Sequence, residues 1–317
     1  MPLFISENEV SRLLSMSETI EAVESAFLAL ASGDGTATQP RHRFFLPQGV
    51  MHHMAAVLPG KGFMGTKAYT SYGRENRFYI LLFSSNSGDL IGLVEGNKLS
   101  QMRTGAATGV AAKYLARKDA HHASILGSGY QAQAQAEAIL LSCPNLRDVN
   151  VYSRDFVRRE RFCQQMTRRL NVRFTPKTSA EDAVRGTQVI VCATSAREPI
   201  LMADWLTGGD FIAAVGANRL TAREMEEEVV GRADIVVVDD MSQARAEAAE
   251  LIFAYEKRLF SWDRAYPLAA IVARRETGRV SPDQITIFKS LGIALEDIAV
   301  AALVYEKARA SGMGKEF

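Results

Sequence analysis

The sequence predicts an α/β protein: a doubly wound parallel-sheet domain in the second half, preceded by a smaller α+β domain. Three observations predict it. The stretch ASILGSGYQAQA, residues 123–134, runs from β-compatible residues through a glycine turn into a helix. Short strands apolar on both faces then alternate with helical stretches, as in a buried parallel sheet. Ahead of them, residues 41–94 hold strand-like runs separated by turn residues, the texture of an antiparallel sheet. That change of texture divides the chain into domains at 1–118 and 119–293, with a C-terminal helix at 294–317.

The elements follow in order. Residues 17–31 form an amphipathic helix that Ser17 can cap, with Ile20, Val23, Phe27 and Leu30 on one face and a stop at Gly33–Gly35. HRFFLP, VMHHMAAV, GFMGTKAYT, RFYILLFSS and LIGLVEG are the strands of the first sheet. A helix over 99–117 carries Gly105, Gly109 and Ala112 on one face, which favours close packing. Arg103 and Thr104 fall near its start, where an anion is welcome. Beyond the glycine turn, helices are expected at 131–141 and 156–170. Strands are expected at 149–152, 189–193, 211–215, 235–238 and 285–288. The last helix, 295–308, sets Ile298, Ala301, Ala302 and Tyr305 at helical spacing.

Composition narrows the function. The chain has 317 residues, 47% hydrophobic and 23% charged, with a formal net charge of +1. That is the balance of a soluble globular protein, and nothing in it suggests nucleic acid or a membrane as partner. Cys143, Cys163 and Cys192 are scattered and odd in number, so neither a disulfide framework nor a metal site is expected. MPLFISENEV lacks the pattern of a leader, and no apolar run has the length to span a bilayer. A cytoplasmic location is the expectation.

The glycine turn points to a dinucleotide. Gly127 permits the tight turn, Gly129 lets backbone approach a ligand, and Ala132 fills the small position where the helix packs near the strand. Ser128, Tyr130 and Gln131 complete a loop whose free N–H groups would face a pyrophosphate. The second strand ends Tyr152-Ser153-Arg154, a little beyond the usual spacing of about 20 residues. Ser153 does not repel a 2′-phosphate and Arg154 can bind one, which favours NADP(H) over NAD(H). Against this, Arg154 also belongs to the charge run RDFVRRERF, and Asp155 reads as a helix start. The remaining strand ends, Ala193-Thr194 and Val215-Gly216-Ala217-Asn218, should border the cofactor, with Gly216 suited to close approach by a nicotinamide. Asp239 and Asp240 read as caps of the next helix.

Taken together, MRTGAATGVAAKYLAR, ILGSGYQAQAQAEAI, AAVGAN with Glu224 following, and IFKSLGIALED resemble the ornithine cyclodeaminase and μ-crystallin family over nearly the whole chain. The resemblance implies a Rossmann domain and an N-terminal substrate-binding domain, completed by the C-terminal helix, that pairs two subunits into a homodimer. It implies a substrate site between the domains, where cations hold the carboxylate of a small α-amino or α-imino acid. Arg103 matches one of these cations, Lys67 the family lysine, and Arg41 the arginine ahead of it, with Arg43 close enough to exchange with Arg41. Lys67 would move protons at the nitrogen if crowding by Arg41 and Arg103 lowers its pKa. Thr104, Ser128, Gly129, Gln131 and Ser290 match cofactor-contacting positions.

Two departures matter. The catalytic aspartate of ornithine cyclodeaminase, just after the AVG strand, is here Asn218, which cannot hold an ammonium by charge. The carboxylate that helps position ornithine, two residues before an M-P pair, is here His52, and the proline of that pair is Ala55. His52 is then a candidate proton carrier or a structural histidine. The expectation is an NAD(P)-dependent oxidoreductase acting at a C–N bond. True ornithine cyclodeamination with recycled NAD, and a non-catalytic NADPH-binding crystallin-like role, are the alternatives. Tyr69, Tyr79, Asn218 and Leu291 are expected to line the side-chain pocket.

Overall fold

The computed structural model describes residues 1–73 and 75–317. The chain forms two compact units, Met1–Ala107 with Gly292–Phe317, and Thr108–Leu291. In order, the elements are β1 (Leu3–Ile5), α1 (Glu7–Leu13), α2 (Met16–Ser32), β2 (Ala37–Thr38), β3 (His42–Leu46), β4 (Gly49–Leu58), β5 (Phe63–Tyr72), β6 (Glu75–Ser84), β7 (Leu90–Glu95) and α3 (Asn97–Leu115). Strand and helix then alternate through β8 (His122–Leu126), α4 (Tyr130–Ser142), β9 (Asp148–Tyr152), α5 (Phe156–Leu170), β10 (Arg173–Pro176), α6 (Ala180–Val184), β11 (Val189–Cys192) and β12 (Phe211–Ala214). After these come α7 (Glu227–Arg232), β13 (Ile235–Val238), α8 (Met241–Glu247), α9 (Ala249–Glu256), β14 (Ala265–Pro267), α10 (Leu268–Val272) and β15 (Thr286–Lys289). The chain ends with α11 (Ala294–Ser311) and β16 (Lys315–Glu316). The division between units falls inside α3, after Ala107, rather than at residue 118, and the chain re-enters the first unit at Gly292.

The first unit is built on one mixed sheet, ordered β16-β1-β7-β6-β5-β4-β2, with β3 also paired to β4. Its period-2 alternation fixes what faces α11. Met54 lies beside Lys67 and Lys67 beside Ile80, while His52 lies beside Tyr69 and Tyr69 beside Phe78. These residues therefore share one face. Gly65 lies on it too, two positions before Lys67. A Cβ there would fall 2.4 Å from the Leu81 carbonyl oxygen and 2.7 Å from Ile298 Cδ1, so the glycine lets α11 settle onto the sheet. α11 is buried nearly all round, including its acids Glu296 and Asp297.

Two local expectations change here. α2 begins at Met16, so Ser15 and not Ser17 is its cap, accepting from the Glu18 N–H at 3.4 Å. α3 begins at Asn97, which puts Arg103 almost two turns inside the helix. The open N–H groups at its start donate to the Glu7 carboxylate, from Asn97 at 3.1 Å and Lys98 at 2.5 Å. The helix start is thus satisfied internally instead of waiting for an anion.

The second unit is a fully parallel sheet ordered β10-β9-β8-β11-β12-β15-β13-β14. Every residue of β11, β12, β13 and β15 is buried, which is why the first three read as unbroken apolar runs, while β15 also buries Thr286 and Lys289. The glycine turn joins β8 to α4. Gly127 sits at φ +120°, and a Cβ on it would lie 2.3 Å from the Ala193 carbonyl oxygen. Asp155 caps α5, accepting from Arg158 N–H at 3.0 Å, and Asp240 caps α8, accepting from Gln243 N–H at 2.7 Å. Asp239 does something else: its buried carboxylate accepts from the Leu291 N–H at 2.6 Å and so ties the end of β13 to the turn after β15. Among the described residues, no helix is long and apolar enough to cross a membrane.

Candidate active site

In the first unit, β5 and α3 bring two cations to the acids of α11. Lys67 Nζ donates to Asp297 Oδ1 at 2.7 Å, and Arg103 Nε donates to the same oxygen at 3.0 Å. Arg103 Nη1 also donates to Glu296 at 2.7 Å. Lys67 is only 1% exposed and Asp297 is fully buried, so the pairing is shielded from water. Arg41 is buried and donates to the Gly292 carbonyl oxygen at 3.0 Å. Gly292 is needed there, since a Cβ on it would lie 2.5 Å from Arg103 Nη1. Arg43, directly opposite His52 across the β3–β4 pair, is less buried than Arg41, so burial favours Arg41 as the member of this cluster.

The electrostatics of Lys67 follow from this packing. Burial is the main cause that brings its pKa down to about 8. Arg103 and Arg41 push in the same direction, and Asp297 opposes them. The crowding by arginines anticipated from sequence is real but secondary to burial. The ammonium also lies over the Phe78 ring at 4.8 Å from its centroid and over Tyr69 at 5.5 Å.

His52 stacks on Tyr69, with centroids 4.0 Å apart and planes 2° from parallel. Its pKa falls to about 4, through burial and then the charges of Arg43, Arg41 and Lys67. An imidazole held there is neutral at pH 7, stacked on Tyr69 and within 3.3 Å of the Ser71 hydroxyl. Tyr79 is paired with Ala68 and lies on the opposite sheet face from Lys67, so it does not join Tyr69 beside the cluster.

The Thr104 hydroxyl donates to the Ser100 carbonyl oxygen within α3 at 2.7 Å. The Ser290 hydroxyl is buried against Asp239 at 3.3 Å. Ala193 and Val215 continue β11 and β12 into the loops that carry Thr194 and Gly216.

The second unit holds the glycine-turn corner. Gly129 caps α4, and a Cβ built on it would meet nothing within 4 Å. Gly129 therefore leaves open space at a helix N-terminus that the protein's own packing does not use, which fits a phosphate group. Ala132 is fully buried, as its packing position requires. Ser128 and Ser153 hydroxyls meet at 2.8 Å, joining the glycine turn to the end of β9. Arg154 is exposed beside them, as is Tyr130, and the Gln131 amide oxygen is buried without a hydrogen-bond partner among the described residues. Arg159, which the sequence reading passed over, is buried and donates to the Ser153 carbonyl oxygen at 2.5 Å.

The sequence reading also passed over the acids. Glu296 and Asp297 stand side by side inside an apolar helix, and charged residues are almost never fully buried without partners. That was the available signal. Among the described residues, no group of three or more His, Cys, Asp or Glu side chains could hold a metal ion.

A Rossmann-like parallel sheet opening on a glycine turn in one unit, and a mixed sheet bearing buried cations in the other, define an α/β protein of the dinucleotide-binding class. The chain belongs to the ornithine cyclodeaminase/mu-crystallin family, whose model matches residues 2–312. It is 31% identical to a Delta(1)-pyrroline-2-carboxylate reductase of Bacillus cereus, over 99% of both chains. Among solved structures it resembles the Thermococcus litoralis Delta(1)-pyrroline-2-carboxylate reductase in complex with NADH and L-proline. That match has a TM-score of 0.95 and 33% identity over 99% of this chain and 100% of the other. It also resembles an archaeal alanine dehydrogenase dimer with bound NAD, with a TM-score of 0.93 and 30% identity over 100% of this chain and 98% of the other.

Proposed function

We propose that the protein is an NAD(P)-dependent oxidoreductase acting at the C–N bond of a small α-imino or α-amino acid, working as an imino-acid reductase. The observation that carries this reading is the convergence of Lys67, Arg103 and Arg41 around the first turn of α11. Arg103 and Arg41 hold the substrate carboxylate, with α11 fixing the guanidinium plane of Arg103. Lys67 delivers a proton to the substrate nitrogen during reduction and accepts one during oxidation, and a pKa of about 8 lets it do either near neutral pH. The dinucleotide supplies the hydride. Gly127, Ser128, Gly129, Tyr130 and Gln131 would hold its pyrophosphate, and Ser153 and Arg154 its adenosine ribose. Ala193, Thr194, Val215 and Gly216 would border the nicotinamide, with Thr104 and Ser290 as further contacts. The relatives support the reaction class: one is a reductase of a cyclic imino acid, and another such reductase was solved with NADH and L-proline.

Asn218 and His52 favour reduction over ornithine cyclodeamination. Both are neutral, so neither offers a carboxylate to a side-chain ammonium. The test is to supply pyrroline- or piperideine-2-carboxylate with NADPH or NADH and follow nicotinamide absorbance and ammonia. Stoichiometric cofactor oxidation supports the reading. Conversion of ornithine to proline and ammonia without net redox overturns it, as does tight NADPH binding with no turnover.

For the cofactor, NADP(H) is preferred in this reading. The one acid near the end of β9, Asp155, is committed to capping α5, and Arg154 is exposed beside the paired serines. Arg154→Ala should weaken NADPH about tenfold and leave NADH within about twofold, measured by direct titration. Equal losses would make Arg154 a bystander. The protein also forms a homodimer in this reading, as the alanine dehydrogenase neighbour does. The sheet face opposite α11 supports this: Met51, Val57, Met64, Tyr79, Leu81 and Leu93 lie on it and none of them is fully buried.

A further inference from the structure

The loops after β11 and β12 are held by a single carboxylate. Glu224 is fully buried. Its Oε1 accepts from Thr194 N–H at 2.6 Å and from the Thr194 hydroxyl at 2.8 Å. Its Oε2 accepts from Gly216 N–H at 2.6 Å and Ala217 N–H at 3.2 Å. All four neighbours are donors. The Thr194 hydroxyl oxygen accepts from Ala196 N–H at 3.1 Å, which leaves its hydrogen for Glu224. A protonated acid would face this shell with a hydrogen and nothing to receive it. Burial raises the Glu224 pKa while these donors and Lys289 oppose the rise, and the geometry requires the carboxylate form.

The tether closes into a ring. Glu224 N–H donates to Glu250 Oε1 at 3.0 Å, and the buried Lys289 ammonium lies 3.2 Å from Glu250 Oε2. Lys289 also donates to the Ala217 carbonyl oxygen at 2.6 Å, returning to the loop that Glu224 holds. Gly216 stands above this ring. A Cβ on it would lie 2.2 Å from the Thr194 carbonyl oxygen and 2.5 Å from Glu224 Oε1, so the tether occupies its side-chain direction. The rest of the glycine is exposed. The Gly127–Ser153 corner abuts Ala193 at Gly127 but has further contacts of its own, Ser128–Ser153 and Arg159.

We propose that Glu224 is the positioning residue for the nicotinamide half of the dinucleotide, locking the loops after β11 and β12 into one floor while the adenosine half rests on the Gly127–Ser153 corner, whose serine pair and Arg159 do not involve Glu224. The proposal rests on the dinucleotide reading given above. Ligands in such sheets bind outside the strand C-termini, and a floor that shifts by a few tenths of an ångström misplaces the nicotinamide but not the adenosine. Only a carboxylate accepts four donors; a carboxamide turns its NH2 toward two of them.

The test is calorimetric binding to wild type, Glu224→Gln and the milder Thr194→Val. The ligands are whichever of NADPH and NADH binds wild type more tightly, and the matching adenosine-side fragment, ADP for NADH or ADP bearing a 2′-phosphate for NADPH. Glu224→Gln should lose about tenfold or more for the dinucleotide and stay within about twofold for the fragment. Thr194→Val should lose about threefold in the same selective way. Equal losses for both ligands, or no loss in either variant, overturn the positioning role. If Glu224→Gln does not fold, an unselective Thr194→Val overturns it alone. Wild type that binds neither ligand defeats the dinucleotide reading itself.

Discussion

Asp297 holds two cations with one oxygen. Because the same carboxylate receives Lys67 at 2.7 Å and Arg103 at 3.0 Å, it sets both where the lysine nitrogen points and how readily it gives up a proton. Asp297 raises the Lys67 pKa against burial and the arginines. In the reduction direction the active lysine is protonated, so activity should fall as pH rises through about 8; in the oxidation direction it should rise there. Asp297→Asn removes the group that raises this pKa, so the falling limb should move to lower pH. It should also cut kcat/KM about a hundredfold, through lost alignment of both cations. A pH–rate profile checks this, and an unmoved limb would mean that Lys67 is not the titrating group.

Among the elements, the Lys67–Asp297 contact depends on α11 lying close against β5. Gly65 is what allows it, two positions along the strand from Lys67 and facing Ile298. Gly65→Ala should therefore destabilise the protein by about 1–3 kcal/mol, read from denaturant unfolding, and shift the Lys67–Asp297 pair along with it. Unchanged stability would show that the contact is looser than it looks. The strongly periodic or uniformly apolar elements were legible: α5 is found at 156–170 as expected, and β13 at 235–238. The glycine turn was legible because its residues are constrained by steric need at Gly127 and by packing at Ala132. The short helices α6 to α10 and strands β10 and β14 were not, since elements of three to eight residues leave too little period to read. The acids that complete the sites were also hidden. Asp297 meets Lys67 across 230 positions and Glu224 meets Thr194 across 30, and no local pattern encodes either partner.

For the whole molecule, sheet patterning and family membership set out the same division of labour. One unit offers a buried cluster of cations and acids and a half-exposed apolar sheet face, and the other a dinucleotide fold. If that sheet face pairs two copies, Leu81→Asp should yield a folded monomer in sedimentation experiments, because an unpaired charge is then forced into an apolar interface. A dimer that survives Leu81→Asp would place the contact elsewhere. In the proposed reaction the hydride passes from the dinucleotide to the substrate carbon that bears nitrogen. The most direct measurement of that transfer uses reduced nicotinamide cofactor with both C4 hydrogens replaced by deuterium, with mass spectrometry of the amino acid formed from a cyclic imino acid. One deuterium at Cα in each product molecule is the predicted result. A product whose Cα hydrogen comes from solvent, with the label still on the cofactor, would contradict it.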